Sequence, residues 1–197
     1  YTNLSRVPVS MFLFLTGYIH TMFFYTKNDY SLPRVLRTLF RFNFLAFFLC
    51  LTHDNPYIFY YICPLHSYFY LLCYVSFKAH RELNYQKLSL RFKLLGLACF
   101  LFLMWDVNTP LFKILHLPFF TSGPAKNGAP RGPLWEWYFR TALDHWSAFL
   151  GMVFALNQPI VSLMMRKIET FGLKNEVLGK AAIGTGLLIS LILWLTG

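Results

Sequence analysis

Long apolar blocks, separated by short basic segments, leave this chain few ways to fold. Residues 7–26 contain no Asp, Glu, Lys or Arg, and the same holds for 57–77, 94–105, 146–165 and 181–195. A sixth block, 39–52, carries only Arg41. About 20 apolar residues in a helix cross the hydrocarbon of a bilayer, and a helix satisfies its own backbone there. The predicted fold class is therefore all-α: a polytopic transmembrane helical bundle of about six membrane segments. The second segment can begin near Leu32, which puts Arg34, Arg37 and Arg41 at its mouth. Pro64 interrupts the third, and Pro159 is expected to bend or end the fifth.

Composition supports this reading. Charged residues make up 13% of the chain, against about 25% in soluble domains. A length of 197 residues has room for one polytopic domain and no separate soluble one. The chain starts at Tyr1 without an initiator methionine, and its last apolar block runs almost to Gly197. Residues 1–197 are therefore expected to be part of one multi-transmembrane domain of a longer protein.

The 18 basic residues fix an orientation once the segments alternate in direction. One side receives Lys27, Arg34, Arg37, Arg41, Lys78, Arg81, Lys87, Arg91, Lys93, Arg166, Lys167, Lys174 and Lys180. The other receives Arg6, Lys113, Lys126, Arg131 and Arg140. The first side is read as cytosolic, facing anionic membrane lipid. The net charge of +10 then needs no nucleic-acid partner. A long loop, 106–146, falls on the lumenal side. Within it 111–120 is apolar enough to lie in the interface or re-enter the bilayer, 121–132 reads as a flexible excursion, and Pro133 can open a helix.

The four cysteines, Cys50, Cys63, Cys73 and Cys99, lie inside apolar blocks without zinc-ligand spacing, so they read as buried hydrophobes and no metal is predicted. There is no Gly-rich phosphate loop, no Gly-x-Ser-x-Gly elbow and no His-Glu-x-x-His pair. Gly17, between Thr16 and Tyr18, and the Gly184, Thr185, Gly186 run are expected to be small-residue packing sites.

Three groups of side chains could carry chemistry. Glu136, Arg140 and Asp144 recur every four residues, so on a helix they share an arc of roughly 80°. Charge at a membrane edge is costly unless paired or used. This face is either a lumenal polar site for a sugar or a salt-bridge ladder supporting an aromatic helix. His66, two residues after Pro64, is either a packed imidazole or a general base for transfer to a hydroxyl. His20 is an accessory histidine nearer the cytosolic end of the first segment. Arg34, Arg37 and Arg41 form a stripe of guanidinium groups suited to phosphates, or else follow the positive-inside bias with snorkelling. His53, His80 and His116 sit at segment edges or in loops. His145 points about 100° away from Asp144 and reads as interfacial.

Several runs together resemble a known family. They are 11–18, ending in Thr-Gly-Tyr, then Arg-Phe-Asn-Phe-Leu at 41–45, and Tyr-Tyr-Ile-Cys-Pro-Leu-His at 60–66. The clearest is Glu-Trp-Tyr-Phe-Arg-Thr-Ala-Leu-Asp at 136–144, followed by Gly151 and Met152. In this order the runs resemble the multi-transmembrane acyltransferase domain shared by animal sialate O-acetyltransferase, fungal capsule O-acetylation proteins and plant Reduced Wall Acetylation proteins. Where that family has Arg-Tyr after the aspartate, this chain has His145 and Trp146.

The resemblance implies O-acetylation of glycan hydroxyls with acetyl-CoA as donor, in a Golgi membrane. It also implies further machinery upstream, including a lumenal hydrolase-like domain and an intramembrane Lys and His. On this reading His66, Asp144 and Glu136 are catalytic candidates, while Arg140, Arg34, Arg37 and Arg41 bind substrate. The alternative is a transmembrane carrier that delivers an acetyl donor to a separate lumenal transferase.

Overall fold

A computed structural model describes residues 2–54, 57–107, 109–116, 132–170 and 173–196. Among these residues the ordered elements are all helical. They are α1 (Thr2–Lys27), α2 (Leu32–His53), α3 (Ile62–Lys78), α4 (Lys87–Leu101), α5 (Thr109–His116), α6 (Pro133–Thr170) and α7 (Leu173–Thr196). Four stretches are long and apolar enough to cross a membrane: Val7–Lys27, Leu32–His53, Lys87–Val107 and Leu134–Thr170. The fourth apolar block, short by itself, is completed by a basic first turn from Lys87 and by a π-helical turn over Phe102–Val107.

Proline positions sharpen the boundaries. A 3-10 turn at Tyr57–Tyr60 precedes α3, and Pro64 stands in the first turn of that helix. The missing N–H costs nothing there, so Pro64 begins α3 and does not bend it. His66 consequently lies in the second turn, closer to one end of the segment than its place in the apolar block suggested. Pro133 opens α6 as expected. Pro159 does not end α6, which continues to Thr170. The remainder of the predicted excursion, 117–131, lies outside the described residues.

Two compact units divide the chain, Val9–Ala155 and a second made of Tyr1–Pro8 with Leu156–Gly197. Within the larger unit, contacts give each helix a direction. Thr16 meets His66 and Thr21 meets Cys73, so α1 and α3 run the same way. Thr38 reaches Tyr70 while Asn43 Nδ2 donates to Ser67 at 2.8 Å, so α2 runs against α3. Lys93 bonds the Ala79 carbonyl and Trp105 stacks on Phe69, so α4 also opposes α3. Ser10 meets Asp144 and Gly17 meets Ala148, so α6 runs parallel to α1.

The core of this unit gathers Leu13, Leu65, Phe69, Met104, Trp105 and Trp137. α3 is central and buries Leu65, Phe69, Tyr70, Cys73, Tyr74 and Phe77. By contrast, α2 turns Leu36, Phe40, Leu45, Phe47 and Leu51 outward, each more than half exposed. An apolar face of that extent does not persist in water and is the lipid-facing wall of a multi-pass membrane protein.

In the smaller unit, Lys180 Nζ lies 2.6 Å from Glu176 Oε1 and 3.8 Å from Glu169 Oε1. Gly184 and Gly186 have open space where a Cβ would stand, so among the described residues they are not packing sites. Cys99 is likewise exposed, unlike the buried Cys73.

Candidate active site

Helical spacing puts Phe12, Thr16 and His20 on one face of α1, at intervals of four residues. That face meets Ile62, Cys63 and His66 of α3, while Phe42 of α2 closes a third side. The three helices line an open cavity of about 390 Å³, walled mostly by apolar side chains and holding two imidazoles, His20 and His66. An apolar pocket with a few placed polar groups is the usual form of a small-molecule site.

His66 is held by its neighbours. Thr16 Oγ1 lies 2.7 Å from His66 Nδ1 and 2.9 Å from the Phe12 carbonyl oxygen. The hydroxyl has a single proton. Both contacts are hydrogen bonds only when Thr16 donates to Phe12 and accepts from an Nδ1–H of His66. That arrangement leaves the Nε2 lone pair of His66 free to take a proton. Phe12 and Phe42 flank the ring at centroid distances of 6.3 and 6.0 Å. His20 packs edge-on against Tyr70 at 4.5 Å and against Phe42 at 5.9 Å.

The Glu136, Arg140, Asp144 face divides between two neighbours. Arg140 Nε donates to Glu136 Oε1 at 2.6 Å, and its guanidinium carbon lies 4.1 Å from the centre of the Tyr61 ring. Asp144, 8% exposed, instead accepts a hydrogen bond from the Ser10 hydroxyl of α1. A Glu placed four residues before an Arg is the favourable helical order, which fits the arginine's choice. None of the three lines the cavity with His66.

The arginine stripe on α2 also stays apart. Arg34 Nε donates to Asp29 Oδ2 at 2.6 Å, and its guanidinium lies 4.3 Å from the centre of the Phe23 ring. Ser31 through its hydroxyl, then through its backbone N–H, and Arg34 hold the Asp29 carboxyl below the usual carboxylate range. Arg37 and Arg41 are exposed.

Several participants escaped the sequence reading. His145 is 4% exposed and buried in the protein, not interfacial. Its Nε2 lies 3.2 Å from Asp106 Oδ2, its Nδ1 lies 2.7 Å from the Ala142 carbonyl oxygen, and its ring stacks on Trp105. The π-helical turn presents Asp106 to α6, and the Tyr138 hydroxyl caps the Trp105 carbonyl at 3.0 Å. Beside it, His116 stacks on Phe112 at 4.0 Å, and burial pushes its imidazole below the ordinary histidine range. Among the described residues no three His, Cys, Asp or Glu gather as a metal site would require.

Comparison with known proteins gives two findings. Residues 1–196 match the family described as the 10 TM acyl transferase domain found in Cas1p. The chain is also similar to N-acetylneuraminate (7)9-O-acetyltransferase of Danio rerio, with 34% identity over 185 residues. That match takes in 83% of this chain and 21% of the relative, so the chain spans about a fifth of the relative's length. No solved structure matches it.

Proposed function

The chain belongs to the family of the 10 TM acyltransferase domain of Cas1p, and on that footing we propose that it transfers acetyl groups from acetyl-CoA to carbohydrate hydroxyls in a Golgi membrane. The fish relative is named for acetylating N-acetylneuraminate, which makes a sialic acid one acceptor to try beside a cell-wall or capsular polysaccharide. The observation that carries the proposal is the cavity in which Thr16 orients His66.

In the reaction a carbohydrate oxygen attacks the acetyl carbonyl, a C–O bond forms and the thioester C–S bond breaks. The hydroxyl proton passes to Nε2 of His66 and from there to the departing thiolate, so the imidazole ends as it began. The apolar lining of the cavity keeps water from competing as acceptor. His20, on the same wall, is a second imidazole for the proton's path. On the lumenal side Glu136 and Asp144 offer oxygens to sugar hydroxyls, while Arg140 and Tyr61 offer a charged and an aromatic surface. Arg37 and Arg41 remain exposed on the basic side, where they would attract an anionic donor.

The test uses the full-length protein in liposomes with acetyl-CoA and a sialoside or polysaccharide acceptor. His66→Gln should lower acetyl transfer by on the order of 10²- to 10⁴-fold with unchanged yield and melting temperature. Transfer at the wild-type rate would remove His66 from the chemistry. Acetyl uptake without acceptor-dependent release of CoA would instead identify a carrier.

A further inference from the structure

A second and larger concavity, of about 680 Å³, opens between the segment joining α1 to α2 and the turn joining α3 to α4. Tyr30 and Ser31 line one side, and Lys78, His80, Arg81 and Glu82 line the other. A buried network holds the two sides together. Asn84, 3% exposed, donates through Nδ2 to the Phe77 carbonyl at 2.7 Å and to the Tyr30 hydroxyl at 3.4 Å. Its Oδ1 accepts from Lys93 Nζ at 2.6 Å. The Tyr74 hydroxyl donates to the Tyr30 carbonyl at 3.2 Å and accepts from Lys78 Nζ at 2.8 Å.

The cations of this cleft are therefore differently employed. One N–H of the Lys78 ammonium is used by Tyr74, and the others stay available. Arg81 is exposed and forms no ion pair among the described residues. Glu82 is the one carboxylate in the lining. The remaining N–H groups of a held ammonium and an unpaired guanidinium make up the donor set that recognises phosphate, while the hydroxyl protons of Tyr30 and Ser31 are spent on the Phe24 carbonyl and the Asp29 carboxylate.

We propose that this cleft seats phosphate groups, and that they belong to the nucleotide end of the acyl-CoA donor. The phosphate chemistry follows from the cleft itself, whereas its assignment to the donor rests on the acetyl-CoA reading above. Lys78 and His66 lie twelve residues apart on one helix, about 18 Å along its axis. That is a span suited to the extended arm between the phosphates of CoA and its thioester. The cleft also lies on the side to which most basic residues are assigned. Arg37 and Arg41 then steer the donor, while Lys78 and Arg81 hold it.

Anionic lipid headgroups offer the same chemistry, so the experiment separates the two sources. Full-length protein in phosphatidylcholine nanodiscs is titrated with CoA and with adenosine 3′,5′-bisphosphate, and in parallel its retention of phosphatidylserine is measured. Arg81→Gln and Lys78→Gln should each weaken CoA and bisphosphate binding about 10-fold, and Glu82→Gln should tighten it. In transfer assays Arg81→Gln should raise the KM for acetyl-CoA and leave kcat in place, while His66→Gln should leave CoA binding intact. Lost phosphatidylserine retention with unchanged CoA binding would overturn the donor assignment and give the cleft to lipid. Wild-type binding of both ligands by correctly melting variants would overturn the phosphate site. Wild-type CoA binding without transfer to any glycan would overturn the acetyltransferase reading alone.

Discussion

Thr16 shows how much a single hydroxyl decides in a cavity this apolar. By giving its one proton to the Phe12 carbonyl it accepts from His66, which fixes the ring proton on Nδ1 and frees Nε2. Thr16→Val keeps the shape and removes the hydroxyl. The hydrogen bond is worth about 0.5–1.5 kcal/mol, so kcat should fall roughly 2- to 10-fold with KM unchanged. Thr16→Ser should restore the rate, and equal kcat in wild type and Thr16→Val would deny Thr16 a positioning role. Part of this was legible beforehand. His66 and His20 stand out because imidazoles are rare in long apolar runs, and the structure brings both to one cavity. Asp144 and Arg140 stand out too, but the partner of Asp144 does not. Helical order favours Glu136 over Asp144 as the partner of Arg140, but the approach of α1, which gives Asp144 the Ser10 hydroxyl, has no signal in the spacing.

At the scale of the helix, that approach depends on two glycines. A Cβ at Gly17 would fall 2.9 Å from the carbonyl carbon of Ala148 and onto its oxygen. One at Gly151 would meet the backbone of Phe14 and lie 3.0 Å from the Tyr18 nitrogen. Backbones this close form the small-residue contact by which membrane helices pack. Gly17→Ala and Gly151→Ala should each destabilise the protein by about 1–3 kcal/mol, because the obstructing atoms are backbone and cannot turn aside. Melting in detergent would register the loss, and an unchanged melting temperature in both variants would mean that α1 and α6 are not in contact. Separating the helices also draws Ser10 away from Asp144, so these variants should lose transfer activity beyond what unfolding explains. The sequence singles out Gly17 by its small size but marks Gly184 and Gly186 just as strongly, and those two face open space. A glycine announces that a close approach is permitted; only the neighbouring helix decides whether one occurs.

Across the whole molecule, hydropathy and charge legislate most of what is seen, and the contacts supply an independent check. Charge counting needs an odd number of crossings between α1 and α6 for the basic residues to segregate. The contacts require the same parity, since Ser10 with Asp144 and Gly17 with Ala148 make the two helices parallel. What the charges could not convey is which cations are spent inside the protein. Arg34 is held by Asp29, and Lys93 is drawn to Asn84 and the Ala79 carbonyl, although both count equally toward the positive-inside bias. The orientation itself is open to measurement. In a background with the native cysteines replaced, Lys87→Cys and Lys113→Cys place thiols on exposed residues at opposite ends of the α4–α5 segment. In sealed vesicles with the cytosolic face outward, an impermeant maleimide should label position 87 at once and position 113 only after permeabilisation. The reverse pattern would invert the bundle, placing the phosphate cleft on the lumenal side and the Glu136 and Arg140 pair on the cytosolic one. Labelling of both positions without permeabilisation would mean that α4 does not cross, and the parity required by the parallel α1 and α6 would then have to come from elsewhere in the chain.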